Sequence, residues 1–260
     1  MNFSHFRKLV LTVLAVGMYG TTTAQLHWES LVLESNNWKY LAATAEPAAN
    51  WDQGSFADAG WSTGVGGVGY ADADDATVIP ACNSLYMRTQ LSIADVSVVK
   101  ELVLDIDYDD AFVFYINGVE CARSANVTGA FPAYNASLST DHEARMYTGG
   151  VPERFVLKTS SLVTGLNTFA VQVLNMGSTS TDMSARVFVQ ANINAAGTLF
   201  HATPSWFTEP VSAESSNLPL IFINTNGKTI VANTKIMADM KVLNSLTGVN
   251  YIYDTDYEYD

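Results

Sequence analysis

Apolar and polar residues alternate along most of this chain, and the dominant period is two. Phe112, Phe114 and Ile116 alternate with Val113 and Tyr115, Asn117-Gly118 interrupts, and Val119-Glu120-Cys121-Ala122 follows. Alternation on both sides of Asn-Gly predicts a hairpin whose type I′ turn holds both central residues at positive φ. Similar runs at Trp28–Leu33, Leu85–Ile93, Leu102–Tyr108, Thr168–Leu174 and Ala185–Ile193 predict further strands, parted by loops rich in Gly, Asn, Ser and Asp. No stretch carries a sustained apolar i, i+3, i+4, i+7 stripe with caps, though Val96–Leu102 has room for one or two helical turns. Short strands without helices predict an all-β fold, an antiparallel β-sandwich or jelly roll over Gln25–Asn194.

The pattern changes at both ends. Arg7 and Lys8 precede the apolar run Leu9–Val16, and Thr21-Thr22-Thr23-Ala24 supplies small residues. That layout predicts a secretory signal peptide over residues 1–24, cleaved after Ala24. The run is shorter than the roughly 20 residues that span a bilayer, so the mature chain is expected to be secreted or on the cell surface, without membrane insertion. Residues 195–217, with Gly197, Pro204, Pro210 and a Ser-rich end, read as a linker that Trp206 and Phe207 could drape on the sandwich. Residues 218–260 open on Leu218-Pro219-Leu220-Ile221-Phe222-Ile223 and are too few for an independent core. They either add strands to the sandwich or begin a second domain that is incomplete here.

Charge narrows the function classes. The chain has 260 residues, 13 Lys+Arg against 26 Asp+Glu, and a net charge of −13. Loss of Arg7 and Lys8 with the signal peptide would leave 11 basic residues and a net charge of −15. Such a surface repels phosphate backbones and anionic lipid, so nucleic acid is not an expected partner. Export would place Cys82 and Cys121 in an oxidising compartment, where one disulfide between them is possible, as are two separate thiols.

Two catalytic motifs overlap in one loop, and neither has its context. Gly60-Trp61-Ser62-Thr63-Gly64 fits G-x-S-x-G, and Gly64-Val65-Gly66-Gly67-Val68-Gly69 fits G-x-G-x-x-G. A nucleophile elbow and a dinucleotide site both need a helix next, which four glycines in six residues forbid. The glycines instead predict a loop with positive φ values or close backbone contacts. Asp141-His142-Glu143 could form an acid–base group, but no zinc spacing joins the mature chain's His27, His142 and His201. Hence no catalytic residue is assigned.

Acidic clusters and aromatics carry the remaining chemistry. Asp72, Asp74 and Asp75 lie in a loop; Asp105, Asp107 and Asp109 share one strand face, and Asp110 follows. Their alternatives are a solvated acidic face and a structural Ca²⁺ site, because Ca²⁺ takes 6–8 hard oxygen ligands. Asp72, Asp74, Asp75, Asp107, Asp109 and Asp110 are the candidate ligands. An EF-hand is rejected, since Asp110 stands where that loop needs Gly and Ile116 where it needs Glu. Trp38, Trp51, Trp61, Tyr70 and Tyr134 fall in or beside predicted loops and form a candidate carbohydrate-binding set, aromatic faces being suited to sugar rings.

Leu85-Tyr86-Met87-Arg88, Leu102–Val113, Tyr115-Ile116-Asn117-Gly118 and Gly165–Val173 together resemble the galactose-binding-like jelly rolls of secreted bacterial proteins. That resemblance implies an accessory module that binds carbohydrate or docks neighbouring domains of the same chain, with a structural Ca²⁺ frequent among its members. Ser216–Gly227, with Lys235 and Asp239, resembles the opening of CotH-type kinase domains, which follow such a jelly roll in exported Bacteroidetes-like proteins. It implies that the chain is the N-terminal part of an ATP-dependent protein kinase whose catalytic residues lie beyond Asp260. A purely structural spacer is the third reading.

Overall fold

The computed structural model describes residues 23–71, 73, 75–177, 180–210, 215–216, 218–225, 228–232, 234–244 and 250–251. The chain divides into two compact units, Met1–Phe207 and Thr208–Asp260. The signal-peptide expectation falls almost wholly outside the described residues. No helix among those described is long and apolar enough to cross a membrane.

The first unit is an antiparallel β-sandwich. Its strands are β1 (Gln25–Val32), β2 (Asn37–Ala43), β3 (Ser62–Val65), β4 (Val68–Gly69), β5 (Thr77–Val78), β6 (Ser84–Ile93), β7 (Val99–Tyr108), β8 (Ala111–Ile116), β9 (Val119–Arg123), β10 (Glu153–Leu157), β11 (Gly165–Leu174) and β12 (Ala185–Ala195). One sheet runs β1-β12-β7-β10 and the other β3-β2-β6-β11-β8-β9; β4 and β5 form a small parallel pair. From β6 to β8 and again from β9 to β12 the chain crosses between sheets at each step, which is jelly-roll wiring. All seven predicted runs are strands, and the turn has the predicted hand, with φ of 54° at Asn117 and 81° at Gly118. Val96–Val98 forms the single turn of helix anticipated there, of the 3₁₀ kind.

Alternation explains the layers. Phe112, Phe114 and Ile116 of β8 enter the core between the sheets with Leu85, Met87, Phe169, Val171, Leu104 and Val189. Each fully buried aromatic or aliphatic side chain there contributes about 1.5–3 kcal/mol. Ala111, Val113 and Tyr115, on the opposite face of β8, are buried too. They join a second cluster with Tyr86, Ala170 and Leu174, covered by Trp51, Phe56 and Trp61 from one loop and Val127, Tyr134 and Leu138 from another. The six-stranded sheet is thus buried on both faces.

The four-stranded sheet is strapped. The buried Glu29 carboxylate accepts from Leu199 N at 2.9 Å and Phe200 N at 2.5 Å, and Ser30 forms a backbone bridge to His201. Further along, Trp206 meets Phe188 edge-on at 5.0 Å, and Phe207 packs 5.5 Å from Trp28. The Arg154 guanidinium sits 4.6 Å from the centre of the Phe207 ring. Trp206 and Phe207 therefore do lie on the sandwich, and the first unit extends through Phe207 rather than stopping at Asn194.

In the second unit, β13 (Ser215–Ser216) pairs with β16 (Asn250–Tyr251), and β14 (Leu220–Asn224) pairs with β15 (Asp239–Leu243). These strands form two two-stranded sheets. Ile221, Ile223 and Met240 are exposed on this hairpin.

Candidate functional site

The outer face of the six-stranded sheet holds an aromatic-walled cavity of about 360 Å³. Trp51, Tyr86, Tyr115 and Phe131 supply its rings, and Glu46 and Gln172 its polar groups. Tyr86 and Tyr115 point outward because their strands, β6 and β8, send Leu85, Met87, Phe114 and Ile116 into the other core. Trp51 stands nearly perpendicular to Tyr86 (4.8 Å, 78°) and to Tyr115 (5.5 Å, 82°), while Phe131 lies parallel to Tyr115 at 5.9 Å. Edge-to-face contacts of this kind fix ring orientation and contribute about 0.5–1.5 kcal/mol each beyond burial.

Polar side chains pin the loops that frame the cavity. Arg88, 1% exposed, donates to Gln53 O at 2.7 Å and Phe56 O at 3.2 Å, and it pairs with Asp58. Glu46 joins the two loops by accepting from Tyr134 N at 2.7 Å and from the Tyr86 hydroxyl at 3.4 Å. Gln172 donates to Pro132 O at 3.1 Å and to Ser84 Oγ at 3.3 Å. Burial, with nearby acidic charge, holds both phenols, Tyr86 and Tyr115, above the ordinary tyrosine range, so they remain neutral donors. The buried Tyr115 hydroxyl has no hydrogen-bond partner among the described residues.

A second cluster is acidic. Asp109, just after β7, meets Glu143 and Asp182, and carboxylate oxygens of all three lie within 4.8 Å of one another. Burial first, then the charges of Asp110, Asp182 and Glu143, push the Asp109 acid up to about 8. An all-oxygen donor set with surplus negative charge suits a hard divalent cation.

The expected acidic face is not solvated. Asp105, Asp107, Asp109 and Asp110 are all buried, and their carboxylates have different occupations. Asp105 pairs with Arg154 at 2.7 Å; Asp107 accepts from Arg145 N and Met146 N, both at 2.8 Å. Asp110 accepts from His142 N at 3.1 Å and Met176 N at 2.6 Å. Asp75 lies against Gly69, whereas Asp72 and Asp74 lie outside the described residues. Of the four candidate ligands among the described residues, Asp75, Asp107, Asp109 and Asp110, only Asp109 is brought into the three-carboxylate cluster.

The aromatic set divides as well. Trp51, Trp61 and Tyr134 gather at the outer-face cluster, with Trp61 stacked 6.3 Å from Trp51. Trp38 and Tyr70 are corrected: neither belongs to the outer-face cluster. Trp38 is 0% exposed on β2 and Tyr70 is 9% exposed, both turned into the inter-sheet core. The disulfide is corrected too, because Cys82 and Cys121 are free thiols. Cys82 precedes β6 and Cys121 lies in β9, with β11 and β8 between those strands. Three inter-strand steps come to roughly 14 Å, beyond the roughly 7 Å Cα separation that a disulfide can bridge.

A cleft of about 530 Å³ elsewhere contains His142, Tyr108 and Glu153. His142 stacks on Tyr108 at 4.2 Å, its Nδ1 engages Tyr108 O at 3.1 Å, and its Nε2 engages Glu153 at 3.0 Å. Burial alone would raise the Glu153 acid. Hydrogen bonds from His142 and Tyr108, and the charges of His142 and Arg145, hold it below its usual range. Both imidazole nitrogens are occupied by structural partners, and Glu153, rather than Asp141 or Glu143, is the carboxylate that His142 meets. The glycine loop is likewise structural. A Cβ on Gly69 would collide with the Met183 carbonyl and one on Gly66 with the Glu34 carbonyl.

No protein-family model matches the chain, and no curated protein matches it. Among solved structures, it is similar to a β-glucuronidase from Bacteroides uniformis, with 18% identity, a TM-score of 0.41, and coverage of 64% of this chain and 18% of that one. It is similar to a glycosyl hydrolase family 2 member from Bacteroides cellulosilyticus at 15% identity and a TM-score of 0.41, covering 64% and 21%. A Ruminococcus gnavus β-glucuronidase gives 15% identity and a TM-score of 0.37, covering 64% and 29%. The chain thus spans less than a third of each of these proteins.

Sequence reasoning missed Tyr86, Tyr115, Phe131, Glu46 and Gln172. The signal for Tyr115 and Tyr86 was present in part: both alternate with core residues, on a face that a one-sided sheet would leave polar. An apolar residue at every position of β8 marks a strand covered on both sides.

Proposed function

We propose that this chain is a non-catalytic, exported β-sandwich module that binds a glycan through the outer-face aromatic pocket, as an accessory part of a larger protein. The observation that carries this reading is the cavity walled by Trp51, Tyr86, Tyr115 and Phe131, in which the Tyr115 hydroxyl lacks a partner. Apolar ring faces beside a few placed hydrogen-bonding groups match a sugar, which presents apolar C–H faces and hydroxyl edges. Docking of a neighbouring domain into the same pocket is the outcome if no glycan binds.

A structural Ca²⁺ at Asp109, Glu143 and Asp182 accompanies this reading. The cation would neutralise the buried Asp109 and its two more exposed partners and tie the loop carrying Glu143 to the residues just after β7 and just before β12. For the second unit, the Ser216–Gly227 resemblance supports reading residues 218–260 as the opening of a CotH-type domain; no catalysis is assigned to this chain.

The test is a glycan panel titrated against the full chain, with Tyr115→Phe and Phe131→Ala as variants. Phe131 is 62% exposed, so its truncation leaves the fold intact. Tyr115→Phe keeps the ring and removes only a buried, unpartnered hydroxyl, so stability holds or rises, whereas Phe131→Ala removes an exposed ring face and lowers affinity about three- to tenfold. Binding by no member of the panel overturns the glycan reading.

A further inference from the structure

Charge distinguishes this pocket among possible sugar sites, and the inference drawn from it rests on the glycan reading above. Glu46 is the one acidic residue walling the cavity, among those described. It stands at the exposed rim, and its contacts with Tyr134 N and the Tyr86 hydroxyl aim it across the aromatic wall. No Lys, Arg or His lines the cavity among the described residues. Two arginines belong to strands of the same sheet, and both are engaged. Arg88 is held by Asp58 and two carbonyls, and Arg123 by both Glu120 oxygens at 2.5 Å.

We propose that the pocket selects a sugar ring carrying a protonated amine, a hexosamine, over a neutral ring, and rejects uronic acids. A ring-borne ammonium gains twice: from the Glu46 carboxylate and from the quadrupole of the exposed Phe131 ring at the same cavity. A uronate would bring a second carboxylate beside Glu46 and strip its hydration without a cationic partner. A neutral hexose meets neither effect and falls between the two.

The experiment compares methyl glucosaminide, methyl glucoside and methyl glucuronide binding to the full chain by ligand-observed NMR. The glucosaminide is expected to bind about three- to tenfold more tightly than the glucoside, the scale of a partly exposed charge contact. The glucuronide binds weakest, and added salt narrows the spread by screening. Glu46→Gln keeps an acceptor for Tyr134 N, preserves the fold by circular dichroism, and removes the preference for the amine. Equal or tighter binding of the glucuronide overturns the inference, as does an amine preference that survives in Glu46→Gln. If none of the three binds while other glycans of the panel do, this inference alone falls; silence across the whole panel removes the glycan reading with it.

Discussion

Asp109 shows how one side chain can be unfavourable alone and useful in company. It is 4% exposed and faces Glu143 and Asp182, so ionising it within the fold costs free energy. Calcium at about a hundred times its dissociation constant is expected to add about 2.7 kcal/mol, or about 5–10 °C in melting midpoint. Asp109→Asn should melt above the wild type in a chelator and gain nothing from calcium; a wild type unmoved by calcium removes the site. Cys82 is the opposite case, a group kept neutral. Burial pushes its thiol up to about 11, so its stabilising contribution is complete below the ordinary thiol range and is lost as pH rises through about 11. At pH 8 a thiol reagent should leave Cys82 unmodified in the native protein and label it fully in urea. Rapid native labelling would contradict that burial.

Between residues and the whole lie the elements, and the most consequential of these is the strap over 199–207. Ending the chain at Phe207 should leave the first unit's urea midpoint unchanged. Ending it at Asn194 uncovers Trp28 and Phe188 and removes the two backbone donors to Glu29, leaving that carboxylate only His27 and water, for a loss of about 3–5 kcal/mol. Equal midpoints for the two would show that the strap adds nothing. Element by element, the strands with clean alternation were legible: Phe112–Ile116, its Asn-Gly turn and Val119–Ala122 match the fold almost residue for residue. Strand β2 was not, because Trp38, Leu41, Ala42 and Ala43 alternate with no consistent polar partner; the covered outer face accepts both kinds of residue. Strand β10 is a five-residue edge, too short to declare a period.

At the scale of the molecule, composition announced an acidic, aromatic-rich chain and alternation a sandwich, but neither told which aromatics would reach the outer face. Trp38 and Trp51 look alike in sequence. One faces between the sheets and the other seats a loop on the outer face, and only the topology separates them. The three-carboxylate cluster was hidden for the same reason. Asp109, Glu143 and Asp182 come from three segments far apart in sequence, whereas local Asp-x-Asp spacing drew the eye to carboxylates that serve backbone N–H groups.

The clamp between Ser30 and His201 sets where the module would bear mechanical load. The chain enters through β1 and leaves through the strap, and these two segments are joined by a backbone bridge and by the Glu29 contacts to Leu199 and Phe200. Tension between whatever is attached at the two ends would therefore act first on this small clamp. Of the two sheets only the four-stranded one contributes to the clamp, through β1, and the aromatic pocket lies on the other, so load at the anchor points bypasses the pocket-bearing sheet.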